Sequence, residues 1–431
     1  MFTQQPQQPS RKLWQCLCTH KAYTFGGRRV KRTLTRRPKE SINQERDSPR
    51  RAGYAGQTET RENTAAMEKD ASFLVLFFEP IRSFLEDDDI SEIMVNGPGQ
   101  IYVERNGKLE ATDARFVSEP ALKAAAVNVA KSVGRLLNED NPRLDARLPD
   151  GSRVHAVIPP LSRVGTVVAI RKFRKEKLTM DQLVSFGSIS EDGAHLLNII
   201  VKLHKNIIVS GATSSGKTSV LNVLSSFISD TERILVIEDS SELQLGQVHT
   251  VCFETRKPDE KGKGEVSIRD LLHSALRLRP DRLVIGEIRG GESLDLLQAL
   301  NTGHAGSMST IHANSPVDCL SRVETCALLS GIDIPLSALR AQVASAVNVV
   351  VHTARLTDGS RKITHVSEVL PLEDGEYNVQ DLYVFHRTGL DEEGRITGVY
   401  GGTGRKPVFM EDARLSGLAL EDSIFKKPSG V

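Results

Sequence analysis

A chain of 431 residues is too long for one compact core and predicts two or three domains. Its composition, 39% hydrophobic and 26% charged, is that of a globular protein. The apolar runs at 73–78 and 196–209, the second broken by Lys202, His204 and Lys205, fall short of the ~20 residues that span a bilayer, which excludes a transmembrane helix. The net charge of +1 is uneven: residues 1–66 hold fourteen Lys/Arg against five Asp/Glu, or +9, leaving −8 for the rest.

The first 66 residues open Gln/Pro-rich and continue through basic clusters at Arg28-Arg29 and Arg36-Arg37, with no apolar periodicity. Such a stretch buries too little surface to offset its ordering entropy, so it reads as a disordered basic arm or as sequence upstream of a misassigned start, with Met67 opening the protein-like part. The five cysteines (Cys16, Cys18, Cys252, Cys319, Cys326) are odd in number and scattered, and no signal-peptide apolar region precedes them. Reduced thiols without a zinc role are expected.

From 67 to 175 the pattern is α+β. A helix is expected over 71–85, a strand over 90–95, and a hairpin over 101–110 turning at Asn106-Gly107, where positive φ angles are needed. A second helix follows over 119–137, then a hairpin turning at Asp150-Gly151 and a strand over 166–170 that exits into Arg171-Lys172-Phe173-Arg174-Lys175. Residues 176–190 read as a linker. From 191 to 370 short apolar strands (206–210, 233–237, 282–285) alternate with amphipathic helices, the pattern of a doubly wound, mainly parallel α/β sheet, and residues 371–431 form a C-terminal segment. Ligands of such sheets bind at the carboxyl ends of the strands.

The first strand end carries Gly211-Ala212-Thr213-Ser214-Ser215-Gly216-Lys217-Thr218, followed by Ser219 and a helical pattern to 229, which fits GxxxxGK[ST] in its strand–loop–helix frame. The glycines let backbone N–H groups curl around phosphates, and the helix N-terminus adds partial positive charge. Lys217 would reach the terminal phosphates of ATP, and the Thr218 hydroxyl would ligate Mg²⁺. The second strand ends in Glu238-Asp239-Ser240-Ser241-Glu242, an acidic box able to position water or hold a cation through water; spacing does not separate Glu238 from Glu242. The third ends Gly286-Glu287. In many phosphate-loop ATPases this strand ends Asp-Glu, so Gly286 stands where a metal-holding Asp would be and Glu287 is favoured to polarise the hydrolytic water.

Thr310 and His312 share one parity of a fourth strand and are placed to sense a γ-phosphate; His195, His204, His249 and His365 receive no role. A mobile cation arriving from outside the loop accelerates phosphoryl transfer, and two groups of arginines are candidates: Arg147, Arg153 and Arg171 in the first domain, and Arg277, Arg279, Arg282 and Arg289 around the third strand.

These four segments, in this order, resemble the secretion ATPases that drive type II and type IV secretion, type IV pili and archaeal flagella. The stretch from Glu254-Thr-Arg256 through Gly262-Lys-Gly-Glu265 to Leu276-Arg-Leu-Arg-Pro-Asp281 and Gly290-Gly-Glu292 is similar in particular to the CpaF/TadA branch, the motor of the Tad (Flp) pilus. The resemblance implies a RecA-like ATPase domain preceded by a smaller α+β domain, ATP and Mg²⁺ as cofactors, and a cytoplasmic homo-hexamer. It implies polytopic inner-membrane platform proteins as partners, peripheral membrane association through them, and no small-molecule substrate beyond ATP. It also implies arginines of the first domain reaching the phosphates, with Arg153 and Arg171 the best matches and Arg147 a weaker one. The paired-cysteine zinc module of general secretory relatives is missing from the sequence, which leaves a conjugative type IV secretion ATPase as the runner-up. A nucleic-acid motor has only the +9 arm in its favour, and 5% aromatic residues offer few stacking platforms, so nucleic acid is not expected as a partner. A small-molecule kinase is disfavoured because the strand at 233–237 comes between the phosphate loop and the third strand and no lid-like arginine segment is evident.

Overall fold

Strand pairing divides the described residues between two sheets. The structure is a computed structural model in which residues 77–428 are described, apart from 106, 149, 174–176 and 259–261. The expected basic arm, residues 71–76 of the expected first helix and Asn106 of the first turn therefore lie outside the described residues; the rest of that helix is the 3-10 turn Glu79–Ile81 followed by the short helix Arg82–Glu86.

The first sheet holds β1 (Ile90–Asn96), β2 (Ile101–Arg105), β3 (Lys108–Ala111), β4 (Arg143–Arg147), β5 (Arg153–Val157) and β6 (Val167–Arg171) in the order β3-β2-β1-β6-β5-β4, antiparallel throughout. One face is apolar. Ile93, Val95, Val103, Val154, Ala156, Val168 and Ile170 pack against Leu122, Ala125, Ala126 and Val129 of the helix Glu119–Ser132. That helix starts at the Ser118 cap and ends five residues before the expected 137. Its C-terminus is closed by Gly134, whose φ of 68° lets its own N–H and that of Arg135 turn back to the carbonyls of Lys131 and Ala130.

Because side chains alternate along a strand, the register that buries these residues turns their neighbours to the opposite face. Arg147 pairs with Arg153, Arg153 with Arg171, Arg171 with Glu92, and Glu92 with Glu104. Three bases and two acids thus form one row across five strands.

The second sheet holds β7 (Ile207–Gly211), β8 (Ile234–Glu238), β9 (Thr250–Glu254), β10 (Arg282–Ile285), β11 (Met308–His312), β12 (Val349–Arg355), β13 (Arg361–Glu373), β14 (Glu376–Leu390) and β15 (Ile396–Gly402). Its order is β15-β14-β13-β12-β7-β11-β10-β8-β9: parallel from β12 to β9, antiparallel from β12 to β15. Strand residues sort strictly by parity. Ile207, Val209, Ile234, Val236, Val284, Val349 and Val351 enter one core with the helices Glu191–Lys202 and Lys217–Ser225. Ile208, Leu235, Ile237, Leu283, Ile285 and Val350 enter the other with Ile268–Ala275, Glu292–Asn301, Pro316–Leu328 and Leu336–Ala346. This is the doubly wound α/β architecture expected.

Three details differ from expectation. The segment read as a linker carries the helix Met180–Ser185, nucleated by a Thr179/Gln182 capping box and anchored by buried Met180 and Leu183. The boundary placed at 370 falls inside β13, and everything to β15 is hydrogen-bonded into the same sheet. The strand at 233–237 precedes the third strand in the chain, but in the sheet β8 lies beyond β10, and it is β11 that separates β10 from the β7 strand.

Candidate functional site

The carboxyl ends of β7, β8, β10 and β11 converge, as parallel register requires, on a cavity of about 230 Å³ lined by Thr213, Ser214, Gly216, Lys217, Thr218 and Ser219, by Glu238 to Ser240 and Glu242, and by Gly286, Glu287, Arg289 and His312. Arg153 and Arg171 of the first sheet close it from the other side. A larger cavity of about 480 Å³ adjoins it, walled by Leu178, Leu183, Phe186 and Ile363, with Arg361 and Lys362 at its edge.

The loop leaves β7 at Gly211 and enters the helix Lys217–Ser225 through Gly216, whose φ of 97° is a left-handed turn that glycine adopts without strain. Ser214 holds a left-handed φ of 59° as a non-glycine residue, and its carbonyl accepts a hydrogen bond from Arg361 Nε at 2.9 Å. Lys217 Nζ donates to the Ala212 carbonyl at 3.0 Å and lies 3.4 Å from His312 Nδ1. Burial, with Arg171 and Arg289 nearby, lowers the Lys217 pKa from its usual range, against the pull of Glu287. An anion cradled here would relieve the crowding of positive charge.

Glu287 follows β10. His312 Nε2 stands 3.0 Å from its Oε1, and Arg289 Nη2 donates to Oε2 at 2.8 Å. The His312 approach is an ion-pair distance without the alignment of a hydrogen bond, so Oε1 is a buried carboxylate oxygen with no hydrogen-bond donor. Burial opposes ionisation of Glu287, but the Arg289 hydrogen bond and charge outweigh it and hold the carboxyl below the ordinary carboxylate range. Burial and the Lys217 charge lower the His312 pKa. A neutral His312 accepts at Nδ1 from Lys217 and carries its proton on Nε2, toward Glu287.

The acidic box resolves into two roles. Glu238 is 3% exposed; its Oε1 accepts from the backbone N–H groups of Glu242 (2.9 Å) and Leu243 (3.0 Å), folding the box into a turn. Burial raises its pKa to about 7 in spite of those two bonds. A Cβ at Gly286 would stand 3.0 Å from Glu238 Cγ, which gives a packing reason for glycine where an Asp was looked for. Glu242 faces the other way, 3.4 Å from Arg153 Nη1 and 4.0 Å from Arg171 Nη1.

Of the arginines, Arg153 and Arg171 line the cavity, whereas Arg147 pairs with Glu254 at 3.1 Å one strand further out. Arg289 reaches both Glu287 and Asp239. Arg282 does not: it is 1% exposed at the opposite end of β10, bound to Glu232 and to the carbonyls of Gly306 and Val201. Arg277 bonds the His273 carbonyl away from the site. Thr310 is also corrected, since its buried hydroxyl donates to the Gly286 carbonyl at 2.6 Å and is not turned to the cavity. Sequence reasoning passed over Arg361, Glu104 and Thr353. Thr353 is placed by the pairing of β12 with β7, and Arg361 and Glu104 meet through a side-chain contact between the two sheets, so no local motif marks them.

Residues 77–388 match the family described as type II/IV secretion system protein. A Mycobacterium tuberculosis protein whose name refers to conjugal transfer is 35% identical over 337 residues, covering 77% of this chain and 93% of that protein. The type IV secretion system protein PtlH of Bordetella pertussis is 34% identical over 325 residues, covering 68% of this chain and 93% of PtlH. Among solved structures, the VirB11 ATPase of the Brucella suis type IV secretion system, in complex with sulphate, is similar at 29% identity, covering 70% of this chain and 96% of that chain with a TM-score of 0.37.

Proposed function

Starting from the type II/IV secretion system protein family, to which this chain belongs, we propose that it is an ATP-hydrolysing motor whose two sheets shift against each other as the nucleotide is bound and split. The observation that carries the reading is the convergence of Lys217, Thr218, His312, Glu287 and Arg289 from three strand ends on one cavity that Arg153 and Arg171 close from the first sheet.

In this reading the loop from Gly211 to Ser219 cradles the phosphates, and Lys217 exchanges the Ala212 carbonyl for a phosphate oxygen. Glu287, kept ionised by Arg289 and with Oε1 undonated, orients the attacking water. His312 carries its Nε2 proton beside that carboxylate. Arg153 and Arg171 leave Glu242 for the charge that develops on the transferred phosphoryl group. The donors around Thr218 are a hydroxyl and carboxylates, the hard-oxygen set that suits Mg²⁺ bound chiefly by phosphates and water. Thr218 would hold that ion, and the ion when bound would neutralise phosphate charge.

The motor is proposed to act as a homo-hexamer against polytopic inner-membrane partners. No helix among the described residues is long and apolar enough to cross a membrane, so contact with the membrane would run through those partners. Two destinations for the work are kept. The Tad/Flp pilus rests on the similarity of the 254–292 stretch to the CpaF/TadA branch. Type IV secretion is favoured by the names of PtlH and of the conjugal-transfer relative. Purified protein should release free phosphate from Mg·ATP and sediment as a ring with a non-hydrolysable analogue; failure to bind or cleave ATP while folded sinks the motor reading. In cells, Lys217→Ala should abolish either surface pili or substrate transfer, and the phenotype lost chooses between the destinations.

A further inference from the structure

β7 and β12 run parallel, with Ser210 opposite His352 and Gly211 opposite Thr353. Parity turns Gly211 and Thr353 to the same face as Val209 and Val351, beneath the helix that begins at Lys217. The two strands approach so closely there that a Cβ on Gly211 would lie 2.3 Å from the Thr353 carbonyl oxygen and 2.5 Å from its hydroxyl. Thr353 is 1% exposed and Ser215 2%.

The hydrogen bonds in this contact have a fixed direction. Thr353 Oγ1 donates to the Ser210 carbonyl at 3.1 Å, which uses its single proton. Its contact with Ser215 Oγ at 2.8 Å is then one in which Ser215 donates and Thr353 accepts. The Ser215 hydroxyl is turned down into the sheet, away from the place where phosphate is expected. We infer that Thr353, which does not line the phosphate cavity, is a positioning residue of the nucleotide site: by accepting from Ser215 it fixes the height of the loop immediately before Gly216 and Lys217. The inference rests on the ATP reading of that loop.

The chemistry implies a specific dependence. Remove the acceptor and the Ser215 hydroxyl is left buried without a partner, a loss the loop relieves by lifting; remove the donor as well and nothing further is lost. A residue that merely filled space would not behave this way, since Val fills the space of Thr.

The test is fluorescence anisotropy of a fluorescent non-hydrolysable ATP analogue with the full chain, together with KM and kcat for Mg·ATP and the thermal midpoint of each variant without nucleotide. Thr353→Val is expected to weaken analogue binding and raise KM roughly tenfold, the scale of one buried hydrogen bond. Thr353→Ser, which keeps the hydroxyl, should stay within about twofold of wild type. Ser215→Ala should resemble Thr353→Val, and the double variant should be no weaker than either single one. If Thr353→Val fails to fold, Ser215→Ala and Thr353→Ser carry the comparison alone. Unchanged affinity in folded Thr353→Val, a fall in midpoint without a fall in affinity, or strictly additive losses in the double variant would each overturn the positioning role while leaving the ATP site intact. Wild-type protein that does not bind the analogue overturns the ATP reading, and this inference with it.

Discussion

In the parallel part of the second sheet, each chemical group stands at the end of its own strand: Lys217 after β7, Glu238 closing β8, Glu287 after β10, His312 closing β11. In the six-stranded sheet the row that brings Arg153 and Arg171 to the same cavity runs crosswise, Arg147, Arg153, Arg171, Glu92 and Glu104 lying side by side because antiparallel register aligns them. The two arrangements teach different things about function. Strand-end groups are each fixed by the loop that follows their own strand, so a substitution should act at one step of the reaction. Groups in a row share neighbours, so their effects should fall off across the row as distance from the phosphate loop grows.

The strand-end side should show the largest effects. Lys217→Ala is expected to abolish nucleotide binding and hydrolysis together, read by analogue anisotropy and phosphate release. Glu287→Gln should retain bound ATP while turnover falls by about 10²–10³-fold or more. Normal turnover in Glu287→Gln would remove Glu287 from the chemistry and leave the β10 end without its assigned role.

The row should give a gradient. Arg153→Ala is expected to lower kcat by roughly 10³-fold if the arginine meets the transferred phosphoryl group, and Arg171→Ala by somewhat less, with its side chain further from Glu242. Arg147→Ala, whose partner Glu254 lies outside the cavity, should cost less than about threefold, as expected for a half-exposed ion pair. Equal losses at all three positions would argue that the row holds the sheets together and does not contact phosphate.

The contrast also explains what the sequence made legible. The phosphate loop, the acidic box and Gly286-Glu287 are contiguous, so their spacing alone put Lys217, Glu238 and Glu287 at strand ends. Their division of labour was not legible. Glu238 and Glu242 look alike in sequence, and only burial of one and the arginines opposite the other separate them. Arg282 and Arg289 are likewise seven residues apart and equally basic, yet β10 carries one to each of its ends. Arg153 was singled out among the candidate arginines through resemblance, while Arg361, Glu104 and Thr353 depend on contacts between residues more than a hundred positions apart.

Glu238 supplies a prediction of intermediate size. Its carboxyl has a pKa of about 7 in the folded chain against 4.5 in an unfolded one, so between those values the folded state holds a proton that the unfolded state has lost. Stability from this group is therefore present below about pH 4.5, falls as pH rises to about 7, and is flat above. Glu238→Gln keeps an acceptor for the Glu242 and Leu243 N–H groups and cannot ionise. The gain in urea midpoint of Glu238→Gln over wild type should thus grow from pH 5 to 7 and level off by pH 8. A gain independent of pH would mean that Glu238 is not buried as an acid.

A last, also small, effect joins the two regions. Glu104, at the acidic end of the row, faces Arg361 Nη2 at 3.4 Å and Arg355 Nη1 at 3.5 Å, while Arg361 Nε also holds the Ser214 carbonyl of the phosphate loop. A charge at one end of the six-stranded sheet therefore touches the left-handed residue of the loop through a single guanidinium. Such partly exposed pairs are worth about 0.2–1 kcal/mol, which converts to a change of roughly 1.4- to 5-fold in an equilibrium. Glu104→Gln should raise the dissociation constant of the ATP analogue within that range. Arg361→Gln should raise it more, having lost the loop contact too, and the second substitution should add nothing to the Glu104→Gln share of the loss. An affinity untouched by Glu104→Gln, or full additivity in the double variant, would show that the loop and the first sheet titrate nucleotide independently. The coupling would then have to pass through the other contacts between the sheets, such as those of Arg153 and Arg171 with Glu242.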